Sequence, residues 1–245
     1  MAKPLFLQAQ PDLHNYELTV KISVIIPALN EQQQIGACVQ SAVDASADQV
    51  IVVDGGSNDE TIELAQAAGA EIYSSTAGRA AQQNLGAAQA DGDILLFLHA
   101  DCRLSKKSIE QILQAASGRR FICGGMRQRI EAQGLSYRLL EIGNALRIGW
   151  LGLPYGDQAI FVSRLLFEQQ GTFPVGFMED YRLMQSMRKR CWPVLLPGPV
   201  YVNARRWQQQ GVVRQTLLNW RILLQYKLGT SKQRLEKLYR RHDQD

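Results

Sequence analysis

Residues 21–60 read KISVIIPALNEQQQIGACVQSAVDASADQVIVVDGGSNDE, and this stretch decides the fold. Lys21 to Ile26 (KISVII) and Gln49 to Val53 (QVIVV) are short apolar runs rich in β-branched residues, the pattern of buried strands. Between them, the segment from Glu31 to Ala45 carries Ile35, Cys38, Val39, Ala42 and Val43 at helical spacing. Working outward, Ala70 to Tyr73 and Asp93 to Leu98 (DILLFL) read as two further strands, and Glu60 to Ala68 and Gly78 to Ala90 as helices. Strands joined by crossover helices predict an α/β, Rossmann-like domain with a mostly parallel central sheet flanked by helices. Ligands in such sheets bind beyond the carboxyl ends of the strands, so functional residues are expected just after each strand.

The chain has 245 residues, 46% hydrophobic and 20% charged, which suits one well-buried domain. No run approaches the roughly 18 to 20 apolar residues that cross a bilayer. Met1 to Val20 reads as an N-terminal extension without a signal-peptide core, which predicts that the chain is not exported by that route. Cys38, Cys102, Cys123 and Cys191 lie far apart with no CxxC pair, which argues against a zinc cage or disulfide framework and for a reducing, cytoplasmic setting. Charge is uneven: residues 1–100 carry 3 Lys and Arg against 12 Asp and Glu, while the rest carries 24 against 11. A basic second half suits phosphate-bearing substrates, nucleic acid or an anionic membrane, and charge alone does not choose.

After residue 119 the alternation becomes irregular. Phe121 to Ile130 reads as a strand broken at Gly124-Gly125, Leu135 to Ile148 as a helix, and Gln158 to Val162 as a strand. Glu179 to Arg190 reads as a helix stopped by Pro193, and Pro199 to Val202 as a strand. Gln210 to Tyr239 has the pattern of one or two amphipathic helices broken near Gly229. Val213, Leu217, Trp220, Leu224 and Leu228 form a stripe there, flanked by Arg214, Arg221 and Lys227.

Three loops carry unusual residues: Pro27-Ala28-Leu29-Asn30-Glu31, Asp54-Gly55-Gly56-Ser57-Asn58-Asp59 and His99-Ala100-Asp101. Ordinary turn and N-cap chemistry is the plain alternative, with Asn30, Ser57 or Asn58 as caps. If the chain stays extended, His99 and Asp101 project to one side and can reach one ion or one diphosphate. A divalent cation with few protein ligands, completed by phosphate oxygens and water, suits Mg²⁺ or Mn²⁺. Glu179 and Asp180 open a helix, where carboxylates often only complement the dipole; beside a metal-diphosphate site, one of them can deprotonate an acceptor hydroxyl. Asp157-Gln158 is a further polar point beside a hydrophobic strand. Asn203, Arg205, Arg206 and Trp207 follow a strand, where arginines can hold a diphosphate bidentately or form a solvated edge.

The segments SVIIPALNE, VVDGGSND, AGRAAQQNLGAAQADGDILLFLHAD, YGDQAIF and MEDYRL, in this order, resemble a family 2 glycosyltransferase of the GT-A fold. Within that family the chain is similar to the bacterial transferases associated with radical-SAM/selenodomain proteins. The resemblance covers residues 21–207, taken as 21–104 for nucleotide binding and 105–207 for the acceptor, with 208–245 as a helical appendage. It implies that Pro27, Ala28, Asn30 and Glu31 line the nucleotide pocket, that Asp54, with Gly56 and Ser57, meets the base or ribose, and that Arg79 and Asn84 lie near the nucleotide-sugar. His99, Ala100 and Asp101 then stand at the DxD motif, with Asp101 and His99 on Mn²⁺ or Mg²⁺ and Arg206 on the donor. Asp180, beside Glu179, becomes the general base of an inverting transfer, with Asp157, Gln158 and Trp207 toward the acceptor. Two positions depart from the family pattern: His99 replaces the first acid of DxD, and Asp54-Gly55-Gly56-Ser57 replaces the commoner Asp-Asp-Gly-Ser. Asn203-x-x-Arg206-Trp207 is similar to the QxxRW motif of polysaccharide synthases, but the first position differs and polymer synthesis is not predicted.

The expected activity is therefore metal-dependent transfer of a sugar from a UDP- or GDP-sugar to a hydroxyl acceptor, with a lipid or lipid-linked acceptor as one candidate. The competing readings are a sugar nucleotidyltransferase and a catalytically inactive nucleotide-sugar binding protein. The first would carry basic residues in the loop after the first strand, and Pro27 to Glu31 has none. Nucleic-acid binding is not expected, for want of any recognisable motif. The basic stripe within 212–241 suits peripheral contact with the cytoplasmic face of a membrane, or packing against the catalytic domain or a second copy in a homodimer.

Overall fold

The computed structural model describes residues 20–230 and Leu235. Its elements in chain order are β1 (Ile22–Ala28), α1 (Ile35–Asp44), β2 (Gln49–Asp54), α2 (Thr61–Ala67), β3 (Glu71–Ser74), α3 (Arg79–Gln89), β4 (Ile94–Phe97) and β5 (Cys102–Leu104). There follow α4 (Ser108–Ala116), β6 (Cys123–Ile130), α5 (Leu135–Leu151), a short 3-10 turn (Gly156–Gln158), β7 (Ile160–Ser163) and α6 (Arg164–Gln170). The chain continues through α7 (Glu179–Met187), β8 (Val194–Val202), α8 (Arg205–Gln210) and α9 (Val212–Lys227). The eight strands make one sheet in the order β3-β2-β1-β4-β7-β6-β8-β5. β1 pairs in parallel with β2 and β4, and β2 with β3, as crossover helices require. β7 runs antiparallel to both β4 and β6, and β5 antiparallel to β8.

Alternate residues of the central strands feed two cores. Ile22, Val24 and Ile26 pack with Ile35, Cys38 and Val39 of α1 on one face. On the other, Ile25, Ile51, Val53, Leu95 and Phe97 pack against Ala80 and Ala87 of α3. Both faces being covered, these strands read as continuous apolar runs rather than alternating ones. Gly86 lets α3 sit this close, since a Cβ there would lie 2.5 Å from Ile25 Cγ2.

The elements depart from the sequence reading in several places. Gly124 and Gly125 do not break β6. They lie inside it, and a Cβ on Gly124 would collide with the Val194 carbonyl of β8 and stand 2.8 Å from the Phe161 ring. β8 begins at Val194, five residues before the expected start, and α1 begins only at Ile35. β5, α4 and α6 were not anticipated. β5 carries the chain from the β1–β4 half to the far edge of the sheet, so the two expected halves interlock. Residues 1–19 and, save Leu235, those beyond Thr230 lie outside the described residues, as does the side chain of Arg206.

Candidate active site

The loops after β1 and β2 are stitched to each other. Asp54 is buried at the end of β2, and its carboxylate accepts the backbone N–H groups of Gly56 (2.8 Å) and Ser57 (3.0 Å) and the Ser57 hydroxyl. Ser57 Oγ in turn accepts the Asn30 N–H, while Asn30 Oδ1 accepts the Asn58 N–H, both at 2.9 Å. Asn30 takes a positive φ of 54°, which asparagine tolerates better than most residues. These side chains therefore do not cap α1 or α2, as turn statistics suggested, and neither helix has a side-chain cap. Glu31 extends the same rim, with a carboxylate oxygen 3.9 Å from Arg205 Nη2 of α8.

A cavity of about 380 Å³ opens beyond the end of β4, and Asn30, Glu31, Asp54, Gly56 and Ser57 are not among the residues that line it. Arg79, His99, Asp101, Asp157, Glu179, Asp180 and Trp207 all line it, as do Gln215, Asn219 and Ile222 of α9. His99 and Asp101 arrive by a different route from the one expected. The chain beyond Phe97 turns rather than staying extended, with the Cys102 N–H donating to the His99 carbonyl at 3.0 Å, and this turn presents both side chains to the cavity. Gly156 sits where the end of β4 meets α7. A Cβ there would collide with His99 Nε2 and Asp180 Oδ2.

Asp180 occupies the first turn of α7, after Met178 in the left-handed region at φ 60°. One of its oxygens accepts the Gly156 N–H at 3.0 Å; the other, Oδ1, is buried and accepts no hydrogen bond among the described residues. Burial, and next the negative charge of Glu179, push the Asp180 carboxyl up to about 7 from an ordinary 3.8, against the opposing pull of Arg79. Glu179 itself pairs with Arg79 at 3.3 Å, joining the start of α3 to the start of α7.

Several expected residues serve the frame instead of the cavity. Ala28 and Ala100 are buried in the core, and Pro27 lies within β1. Asn84 exchanges two 2.9 Å hydrogen bonds with the backbone of Phe173, fixing the loop ahead of α7. Gln158 is buried and accepts from Arg147 Nη2 at 2.6 Å and from the Tyr155 N–H at 3.1 Å. Arg147 is the framework residue the motifs missed: its guanidinium lies 3.5 Å from the centre of the Tyr155 ring. Tyr155 meets Tyr181 edge-on, and Tyr181 meets Tyr226 of α9 in the same way. α9 is thereby tied to the catalytic side of the sheet as a wall of the cavity.

Among the described residues no three or more His, Cys, Asp and Glu side chains are grouped so as to hold a metal ion by themselves. An imidazole and a carboxylate on one wall do fit a cation shared with a diphosphate, for which few protein ligands suffice.

Residues 23–182 match the model of glycosyl transferase family 2. The chain belongs to that family. Among curated relatives, this family 2 chain is 37% identical over 109 residues to the 4,4'-diaponeurosporenoate glycosyltransferase of Staphylococcus haemolyticus, covering 40% of this chain and 29% of the relative. It is also 37% identical over 94 residues to the glucosyl-3-phosphoglycerate synthase of Mycolicibacterium paratuberculosis, covering 33% and 28% respectively. The chain thus spans less than a third of the length of these relatives. The crystal structure of glucosyl-3-phosphoglycerate synthase from Mycobacterium tuberculosis, in complex with Mn²⁺, UDP and glucosyl-3-phosphoglycerate, superposes with a TM-score of 0.57 at 22% identity. That match covers 76% of this chain and 71% of the other, and it shows the shared GT-A fold.

Proposed function

We propose that this family 2 chain transfers a sugar from a UDP- or GDP-sugar to a hydroxyl acceptor, with inversion and with Asp180 as general base. The observation that carries the reading is Asp180 itself: a buried carboxylate on the cavity wall, raised to about 7, with one oxygen fixed by Gly156 and the other without a donor. A base working near neutral pH needs such a value. In the reaction the Asp180 carboxylate takes the acceptor proton as the acceptor oxygen bonds to C1 of the sugar. The C1–oxygen bond to the diphosphate breaks on the opposite face and the nucleoside diphosphate departs with the electron pair.

Donor binding falls to the stitched loops around Asn30, Asp54 and Ser57, whose mutual hydrogen bonds hold the rim in shape before a nucleotide arrives. Arg79, half exposed on the cavity wall, offsets part of the diphosphate charge while its pairing with Glu179 orients the start of α7. His99 and Asp101 would hold a Mn²⁺ or Mg²⁺ ion, which supplies charge neutralisation to the leaving diphosphate. The crystal structure with UDP and Mn²⁺ of a protein sharing the fold supports that choice of donor and cation. Asp157 faces the acceptor, together with Trp207. Within the family, our reading is that the chain acts as one of the transferases associated with radical-SAM/selenodomain proteins, which the order of its five sequence motifs supports.

The test pairs two measurements on wild type, Asp101→Ala and Asp180→Asn. Thermal shift with UDP and GDP in Mn²⁺ should show binding that Asp101→Ala weakens and Asp180→Asn retains; release of nucleoside diphosphate from the matching sugar donor should be lost in Asp180→Asn. Transfer at the wild-type rate in Asp180→Asn overturns the base assignment, and no shift with any nucleotide overturns the donor site.

A further inference from the structure

Two neighbouring helices, α5 and α9, bury only a few apolar residues, Ala145 and Ile148 on α5 and Ile222 on α9, and each turns a longer apolar stripe to the outside. On α5, Leu135, Leu139, Ile142, Leu146 and Trp150 fall on one stripe, and all five are exposed, Trp150 at 76%. The opposite side of α5 turns Glu141, Asn144 and Arg147 toward the sheet, where they hydrogen-bond to Ile130, Gln128 and Gln158. On α9, Val213, Leu217, Trp220, Leu224 and Leu228 form the exposed stripe, with Leu217 at 64% and Trp220 at 73%. Gln215, which is buried, and Asn219 lie on its cavity side. The two helices touch. Trp192, also exposed, packs beside Gly152 at the end of α5. A helix in water puts its apolar stripe inward. Two touching helices that each leave five large apolar side chains exposed present the kind of apolar surface that marks a contact site.

We infer that the α5–α9 face lies on an anionic bilayer surface and, given the glycosyl-transfer reading above, that the acceptor enters the cavity from that surface with its apolar part in the lipid. Charge selects this occupant. From Arg205 to Thr230 the sequence holds five basic residues and no acidic one, and Arg214, Arg221 and Lys227 flank the α9 stripe. A second α9 would offer these cations no carboxylate, whereas anionic headgroups complement them. Three exposed tryptophans, Trp150, Trp192 and Trp220, are the aromatic type that settles at headgroup depth. Among the described residues no helix is long and apolar enough to cross a membrane, so the contact is with the surface. α9 serves both sides, since its inward residues line the cavity while its outward ones meet the lipid.

Flotation of the purified full chain with vesicles tests this without any donor sugar. Vesicles of phosphatidylcholine with about one third phosphatidylglycerol should carry the protein at low salt. Pure phosphatidylcholine should carry at least ten-fold less, and high salt should release much of the bound fraction as the headgroup charge is screened. Trp150→Glu with Trp220→Glu should reduce binding at least ten-fold at an unchanged thermal midpoint; if that pair disturbs folding, Leu139→Gln with Leu217→Gln gives the same readout more gently. Wild-type failure to float at low salt overturns the proposal, as does equal binding to neutral vesicles. So does a dimer in light scattering that the same variants dissociate, which would assign the face to a second copy. Asp180→Asn should float like wild type, so failure of the transfer chemistry and failure of the membrane face are read separately.

Discussion

The β1–β4 half and the α5–α9 face treat apolar residues in opposite ways. In the first, alternate residues of each strand enter one of two cores: Ile25 is fully buried beneath Gly86 of α3, and Ile26 is fully buried on the other face with α1. At the rim of that half, Asp54, Asn30 and Ser57 bond to one another's loops. In the second, long apolar stripes face outward, while polar side chains such as Asn144, Arg147 and Gln215 share the inward side with a few apolar ones, Ala145, Ile148 and Ile222. One half is thus a scaffold that holds its binding loops by internal satisfaction. The other leaves its apolar stripes to solvent, the face we propose for lipid contact, and Asp180, the proposed base, lines the cavity that α9 walls.

This contrast can be broken by mutation, beginning where the two regions meet. Asp180→Asn removes the base and should lower the rate of transfer by about 10²- to 10⁴-fold with nucleotide affinity kept, which steady-state kinetics beside thermal shift would show. In the scaffold, Ile25→Ala should cost about 2–5 kcal/mol in denaturant unfolding, because the packed strands leave a cavity they cannot close.

The same Asp180→Asn change should also stabilise the fold, in a pH-dependent way. The folded carboxyl holds its proton up to about 7 and the unfolded one only to about 3.8, so folding loses stability as pH rises between those values. The variant should therefore gain over wild type by at most about 4 kcal/mol at pH 8 and by almost nothing below pH 4, as melting curves at the two extremes would reveal. Smallest of all, Leu217→Gln on the outer stripe of α9 should change unfolding free energy in detergent-free buffer by no more than about 0.5 kcal/mol. A loss of several kcal/mol there would mean that the stripe is packed against protein in solution and would erase the contrast.

Which parts of this arrangement were legible in the sequence follows from the range of the interactions involved. β1 to β4 announce themselves because strands buried on both faces are apolar throughout, as in ISVII and ILLF. β5 is three residues long, too short to show any period, and most of β8 is disguised by Pro197, Gly198 and Pro199. Gly124 looked like a strand breaker, yet it is the residue that lets β8 approach, a role visible only once Val194 is in place. The loops after the strands stand out in the sequence as polar clusters. Their residue types could not say that Asn84 is committed to Phe173, or that Gln158 is committed to Arg147. The stacking of Arg147 on Tyr155 and the docking of Tyr226 on Tyr181 depend on contacts between distant segments, and neither leaves a mark on local periodicity.

The most direct measurement is the pH dependence of nucleoside diphosphate release from UDP- and GDP-sugars in Mn²⁺, between pH 5 and 9. Glycerol and phosphatidylglycerol vesicles would serve as hydroxyl acceptors, with wild type and Asp180→Asn compared. The account predicts a wild-type rate that falls about ten-fold per pH unit on the acid side of a midpoint near 7, and no such limb above background in the variant. A variant that releases nucleotide at the wild-type rate, with the same acid limb, would contradict it.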